Sequence, residues 1–156
     1  MLRFLRSIER ALLKVETYSE KYFSDVVRLI EKFHAKYLTD YYGSPSKDVI
    51  TETIINFKDL TFLLLDRDKC VGVLAGVEIK SKLNDERFFQ EIIWYVEKPY
   101  GRFGFYLIKK VKIMLKSLWF SHIIMSVLES MKSKRIEAIY NKLGFKPMET
   151  HYVRTL

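Results

Sequence analysis

Tyr140-Asn141-Lys142-Leu143-Gly144-Phe145-Lys146-Pro147 is a stretch where a helix has to end and an apolar-aromatic segment has to leave it. Gly144 has no Cβ, so it adopts a left-handed backbone at little cost and suits the first position past a helix. Phe145 turns the chain back toward a core, and Pro147 keeps the helix from resuming. Tyr140 falls one turn before the stop, so its phenol lies near a helix end. Upstream, Ser133 to Leu143 reads as that last helix and Met148 to Val153 as a closing strand. Further back, Glu91-Ile92-Ile93-Trp94-Tyr95-Val96 ends a long strand begun at Phe88, a loop follows from Glu97, and a helix runs from Gly104 to Leu118. In that helix Ile108, Val111, Leu115 and Leu118 fall on one side, and Lys109, Lys110, Lys112 and Lys116 on the other.

The remaining segments fill in around these. Val15 to Tyr18 is a short strand. Ser24 suits the N-cap of a helix with Val26, Val27, Ile30, Phe33 and Tyr37 on its apolar face. Tyr41 to Ser46 has loop chemistry. Asp48 to Phe57 reads as a second helix, with Val49 and Thr53 inward and Ile50, Ile54 and Phe57 as further inward candidates. Thr61 to Leu65 and Cys70 to Lys80 read as a hairpin across Asp66-Arg67-Asp68-Lys69. His122 to Leu128 is a further strand. The order β-α-α-β-β-β-α-β-α-β describes a mixed α/β (α+β) sheet with helices on both faces.

The run Tyr140 to Phe145 resembles the last motif of the GNAT superfamily of N-acetyltransferases, where a tyrosine precedes Lys-Leu-Gly-Phe. Glu91 to Val96, the loop Glu97 to Gly104 and the helix behind it resemble that superfamily's central strand and pyrophosphate loop, in the same order and spacing. The likeness covers the chain from about Val15 to its end. It implies a GNAT fold: a twisted, mostly antiparallel sheet of six to seven strands with a splayed parallel pair. It also implies acetyl-CoA (coenzyme A) as co-substrate, no metal, and an amine of a small molecule, peptide or protein as acceptor. Residues 15–156 would form one acyltransferase domain, with 1–14 as an amphipathic helical extension.

A strand-loop-helix unit aims backbone amides and the positive helix end at one place, which suits a diphosphate. The superfamily pattern runs Arg/Gln-x-x-Gly-x-Gly/Ala, and this chain has Gly101-Arg102-Phe103-Gly104-Phe105-Tyr106. Gly104 fits the first glycine. Gly101 replaces the Arg or Gln, Tyr106 replaces the second small residue, and Arg102 is displaced by one position. The loop is then either a modified coenzyme A site or a turn that binds nothing. Strict alternation would put Phe89, Glu91, Ile93 and Tyr95 on one face of the long strand. A carboxylate in so apolar a strand is costly to ionise, which would raise its pKa toward that of a general base. Alternatively, Glu91 sits partly solvated beside a Lys or Arg. The resemblance gives Glu91 as base and Tyr140 as acid, although Tyr140 would also serve as a packing residue beside Ile136 and Ile139. The resemblance further implies that the backbone around Tyr95 and Val96 meets the thioester oxyanion and the pantetheine arm. Ser133 stands where the superfamily often has a pantetheine-contacting asparagine.

Composition sets outer bounds. The chain has 156 residues, is 49% hydrophobic and 15% aromatic, and has few Gly and Pro, as expected of one packed domain. Its single cysteine, Cys70, reads as a buried small hydrophobe in a reducing, cytoplasmic setting. The net charge of +8 favours anionic partners without choosing one; no zinc-ligand spacing or nucleic-acid motif accompanies it, and no apolar run is as long as a membrane span. Met1 to Lys14 alternates Leu2, Leu5, Ile8 and Leu12 with Arg3, Arg6 and Arg10, as a helix packed on the domain or a partner would. A homodimer is compatible with the fold. The competing function is a GNAT-like binding or regulatory protein without turnover, to which the altered Gly101 and Tyr106 positions point.

Overall fold

The computed structural model describes residues 12–128, 134–149, 151, 152 and 154. The chain forms two compact units, 1–126 and 127–156.

In the first unit, β1 (Leu13–Thr17), β2 (Thr61–Asp66), β3 (Lys69–Lys80), β4 (Arg87–Val96) and β5 (His122–Ile124) make one sheet in that order. The first four strands are antiparallel, and β5 runs parallel to β4. Helices α1 (Phe23–Tyr37), α2 (Thr39–Tyr42) and α3 (Lys47–Phe57) lie between β1 and β2, and α4 (Gly104–Ser117) connects β4 to β5. Five consecutive residues of β2, Thr61 to Leu65, are buried, so the sheet is covered on both faces. The core centres on Phe62, Leu63, Leu64, Val71, Leu74 and Phe89.

Local details depart from the sequence reading in ways that packing explains. Ser24 is not the cap of α1: a 3-10 turn at Glu20–Tyr22 runs straight into Phe23, and the burial of Tyr22 fixes that entry. In α3 the buried pair is Ile50 and Ile54, one turn apart and both among the inward candidates, whereas Val49, expected inward, is not buried. Val49 is exposed and the Thr53 hydroxyl bonds back to its carbonyl. Tyr41 and Tyr42 belong to α2 rather than to a loop. In α4 the buried residues are Gly104, Leu107, Ile108, Val111 and Leu115, while Leu118 lies past the end and is exposed.

The described residues form five strands, not six to seven. Met148, Glu149, His151 and Tyr152 carry no strand, and Thr150 and Val153 lie outside the described residues. The strand expected over His122–Leu128 keeps three residues. Its ladder with β4 runs through Phe88/His122, Phe89/Ile123 and Gln90/Ile124 and goes no further, so the parallel pair separates from Glu91 onward.

A second irregularity shapes β4. Ala75 pairs with Ile93 and Gly76 with Glu91, which leaves Ile92 as a bulge. Residues directly opposite across a ladder share a face. Phe62 opposes Leu74 and Leu74 opposes Trp94. The ring of Phe62 also meets that of Phe89, 6.1 Å between centroids. Phe89 and Trp94 therefore share a face despite their odd separation, and Tyr95 points to the other, edge-on to Phe33 of α1. The alternation expected for Phe89, Glu91, Ile93 and Tyr95 is overturned: the bulge leaves Glu91 with Phe89 and turns Ile93 and Tyr95 away.

In the second unit, α5 (Lys134–Lys142) is capped as its sequence implies. Gly144 takes φ +82°, its N–H bonds to the Asn141 carbonyl, and the Phe145 N–H bonds to that of Tyr140. The Phe145 ring returns onto Tyr140, 5.3 Å between centroids. Among the described residues no helix is long and apolar enough to cross a membrane.

Candidate functional site

Glu91 stands where β4 and β5 part. Its side chain is buried, with a relative exposure of 7%. Beyond Gln90 the ladder stops, and the Ser126 N–H donates to the Glu91 carboxylate at 3.0 Å. Burial raises its carboxyl, the Ser126 hydrogen bond lowers it, and the net effect is a pKa pushed up from 4.5 to about 7. Among the described residues, what holds it is the Ser126 N–H rather than an ion pair with a Lys or Arg. A carboxylate at the mouth of a strand split, titrating near neutrality, can accept a proton at physiological pH.

The segment after β4 is held closely. Glu97, 5% exposed, takes hydrogen bonds from Arg28 at 2.5 Å and Lys32 at 2.7 Å, and Lys69 approaches to 3.7 Å. Burial works to raise its carboxyl, but the Lys32 and Arg28 contacts outweigh it and hold it below the ordinary range. Arg28 also donates to the Cys70 carbonyl and to Asp25. A 3-10 turn, Tyr100–Phe103, then leads into α4. The Tyr100 phenol donates to Asp66 at 2.5 Å, and its N–H bonds to the Glu97 carbonyl at 2.8 Å.

The predicted cofactor residues divide into groups. Gly101 has open space where a Cβ would go, and Arg102 is exposed with its guanidinium over the Phe103 ring. Gly104 is helical, and its small size serves packing: a Cβ there would sit 3.1 Å from the Trp94 ring. Its N–H already bonds to the Gly101 carbonyl, which removes one amide from those the loop offers. Phe105 is half-buried. Tyr106 is also half-buried, with its ring beside the Lys110 ammonium one turn along α4. The first turn of α4 carries no acidic residue. An open glycine, an exposed arginine and an acid-free helix start fit a diphosphate. Tyr95 and Val96 lie on the part of β4 that β5 no longer pairs. Tyr140 lies in the last turn of α5 against Phe145, in the second unit, and Ser133 lies outside the described residues.

The Glu97 cluster escaped the sequence reading, because its cations come from 28, 32 and 69 and nothing in the local pattern joins them. Cys70 is buried and its thiol is pushed up to about 12, consistent with an inert core residue. His122 stacks on Phe88 at the far end of the β4–β5 ladder, a packing role.

No protein-family model matches the sequence, and no curated protein matches it. Solved structures match the fold. An aminoglycoside acetyltransferase from an uncultured soil metagenomic sample, solved in complex with sisomicin, matches with TM-score 0.72 at 17% identity, over 94% of this chain and 98% of its own. A GNAT family acetyltransferase of Staphylococcus aureus matches with TM-score 0.65 at 10% identity, over 92% and 98%. Glucosamine-6-phosphate N-acetyltransferase from Arabidopsis thaliana matches with TM-score 0.65 at 12% identity, over 92% and 97%. The chain has the fold of the GNAT acetyltransferases.

Proposed function

We propose that this protein is an acetyl-CoA-dependent N-acetyltransferase in which a primary amine attacks directly. The observation that carries the reading is Glu91, a buried carboxylate beside the strand split with a pKa of about 7. Bound acetyl-CoA supplies the acetyl thioester. Glu91 takes the proton that the attacking amine must lose. Backbone amides near Tyr95 and Val96 stabilise the oxyanion. Tyr140 returns a proton to the departing sulfur as the carbon–sulfur bond breaks. Gly101 to Tyr106, with Arg102 as the charged member, receives the diphosphate. Sisomicin, present in the metagenomic enzyme, makes a small amine the first acceptor to try.

The test is thiol release from acetyl-CoA across a panel of amines. The wild type is expected to show a rate that climbs as pH rises through about 7, as Glu91 ionises. Glu91→Gln should lose that limb, and Tyr140→Phe should slow release by about a hundredfold or more, the range of general acid catalysis, with coenzyme A affinity retained. Coenzyme A binding with no thiol release from any amine would favour the binding protein without turnover.

A further inference from the structure

The turn proposed to receive the diphosphate is closed by a backbone bond from the Gly104 N–H to the Gly101 carbonyl. Gly101 has open space where a Cβ would stand, and a glycine in a turn is the residue with most backbone freedom to lose. Contacts from elsewhere fix it. Upstream, Glu97 is clamped by Arg28 and Lys32, and its N–H bonds to the Val71 carbonyl at 3.0 Å. Downstream, Gly104 abuts Trp94. Between them Tyr100 ties the turn to the sheet, its phenol reaching Asp66 at the β2–β3 hairpin.

We propose that Tyr100 and Asp66 are positioning residues for the cofactor: the hairpin, through their hydrogen bond, sets the conformation of the Gly101–Gly104 turn before a diphosphate arrives. This rests on the placement of coenzyme A at that turn. A hydrogen bond between a phenol and a carboxylate is charge-assisted and short. Fixing a receptor in its binding conformation improves affinity by removing the ordering cost from the binding step. Asp66 touches no reacting group in this account; its contact with the turn is the Tyr100 hydrogen bond, and its own negative charge would by itself oppose a diphosphate, so a loss of affinity on removing Asp66 points to Tyr100.

Hydrogen exchange over residues 97–106 without ligand, and calorimetric titration with coenzyme A, test this in the full chain. Tyr100→Phe and Asp66→Ala are each expected to speed exchange in that segment and to weaken coenzyme A binding about tenfold, as loss of one charge-assisted bond would. The double variant should be no worse than either single variant, since both remove one interaction. Asp66→Asn keeps an acceptor oxygen and should restore affinity. Asp66→Ala should raise the KM for acetyl-CoA with kcat held, a split that general destabilisation would not produce. If the wild type binds coenzyme A and both single variants match it in exchange and affinity, the positioning role is overturned. If the wild type shows no affinity for coenzyme A, the proposed function fails, and the cofactor role of this pair fails with it.

Discussion

Replacing Glu91 by glutamine should make the protein more stable at pH 8 than at pH 5 relative to the wild type. The unfolded chain gives up this proton near the ordinary value of 4.5, and the folded chain gives it up at about 7. Between those values the folded state holds more protons than the unfolded state, so wild-type stability falls as pH rises through the interval and levels off above it. At about 1.4 kcal/mol per pH unit the whole interval comes to about 3 kcal/mol, and the part between pH 5 and pH 8 to about 2 to 3 kcal/mol. The amide of the variant does not titrate and keeps an oxygen to accept the Ser126 N–H, so the variant should escape the loss. Urea unfolding of both proteins at a series of pH values gives the difference directly, because other titrating groups cancel. A wild-type-to-variant gap that stays flat from pH 5 to pH 8 would refute the claim that Glu91 is buried and reluctant to ionise, and with it the basis for a general base.

Three further outcomes follow from backbone and packing. Gly76→Ala should destabilise by more than about 2 kcal/mol in denaturant melts, since its Cβ would lie 2.3 Å from the Gln90 carbonyl oxygen and 2.5 Å from the Phe89 ring. Gly101→Ala, into open space, should change stability by less than about 0.5 kcal/mol, while its effect on coenzyme A titration reports whether ligand approaches that backbone. Gly144→Ala should cost about 1 kcal/mol at φ +82°, read as earlier loss of α5 exchange protection.

Much of the fold was legible because its signals are local. The alternating and continuous apolar runs of β2 and β3, the basic-outside pattern of α4 and the Gly144 stop each concern neighbouring residues, and each is found where the pattern put it. What was not legible depends on distant partners. The Ile92 bulge is set by Gly76, whose missing side chain makes room for the Phe89 ring; read from β4 alone, strict alternation was the natural but wrong expectation. The early end of β5 follows from Ser126 turning its N–H to the Glu91 side chain. At the candidate site, Glu91 and the loop glycines carried a sequence signal. The Glu97 cluster drew its cations from three separated positions, and the Tyr100–Asp66 tie joined a loop to a hairpin 34 residues away. Gly104 matched a phosphate pattern, yet in the structure its small size accommodates Trp94.

The most direct measurement is a crystal structure of the protein grown with coenzyme A. The account predicts density for the diphosphate at the Glu97–Gly104 turn, with the pantetheine arm running along the unpaired stretch of β4 and the thiol ending within reach of Glu91. Well-ordered coenzyme A bound away from that turn, or crystals that stay empty at saturating ligand, would contradict it.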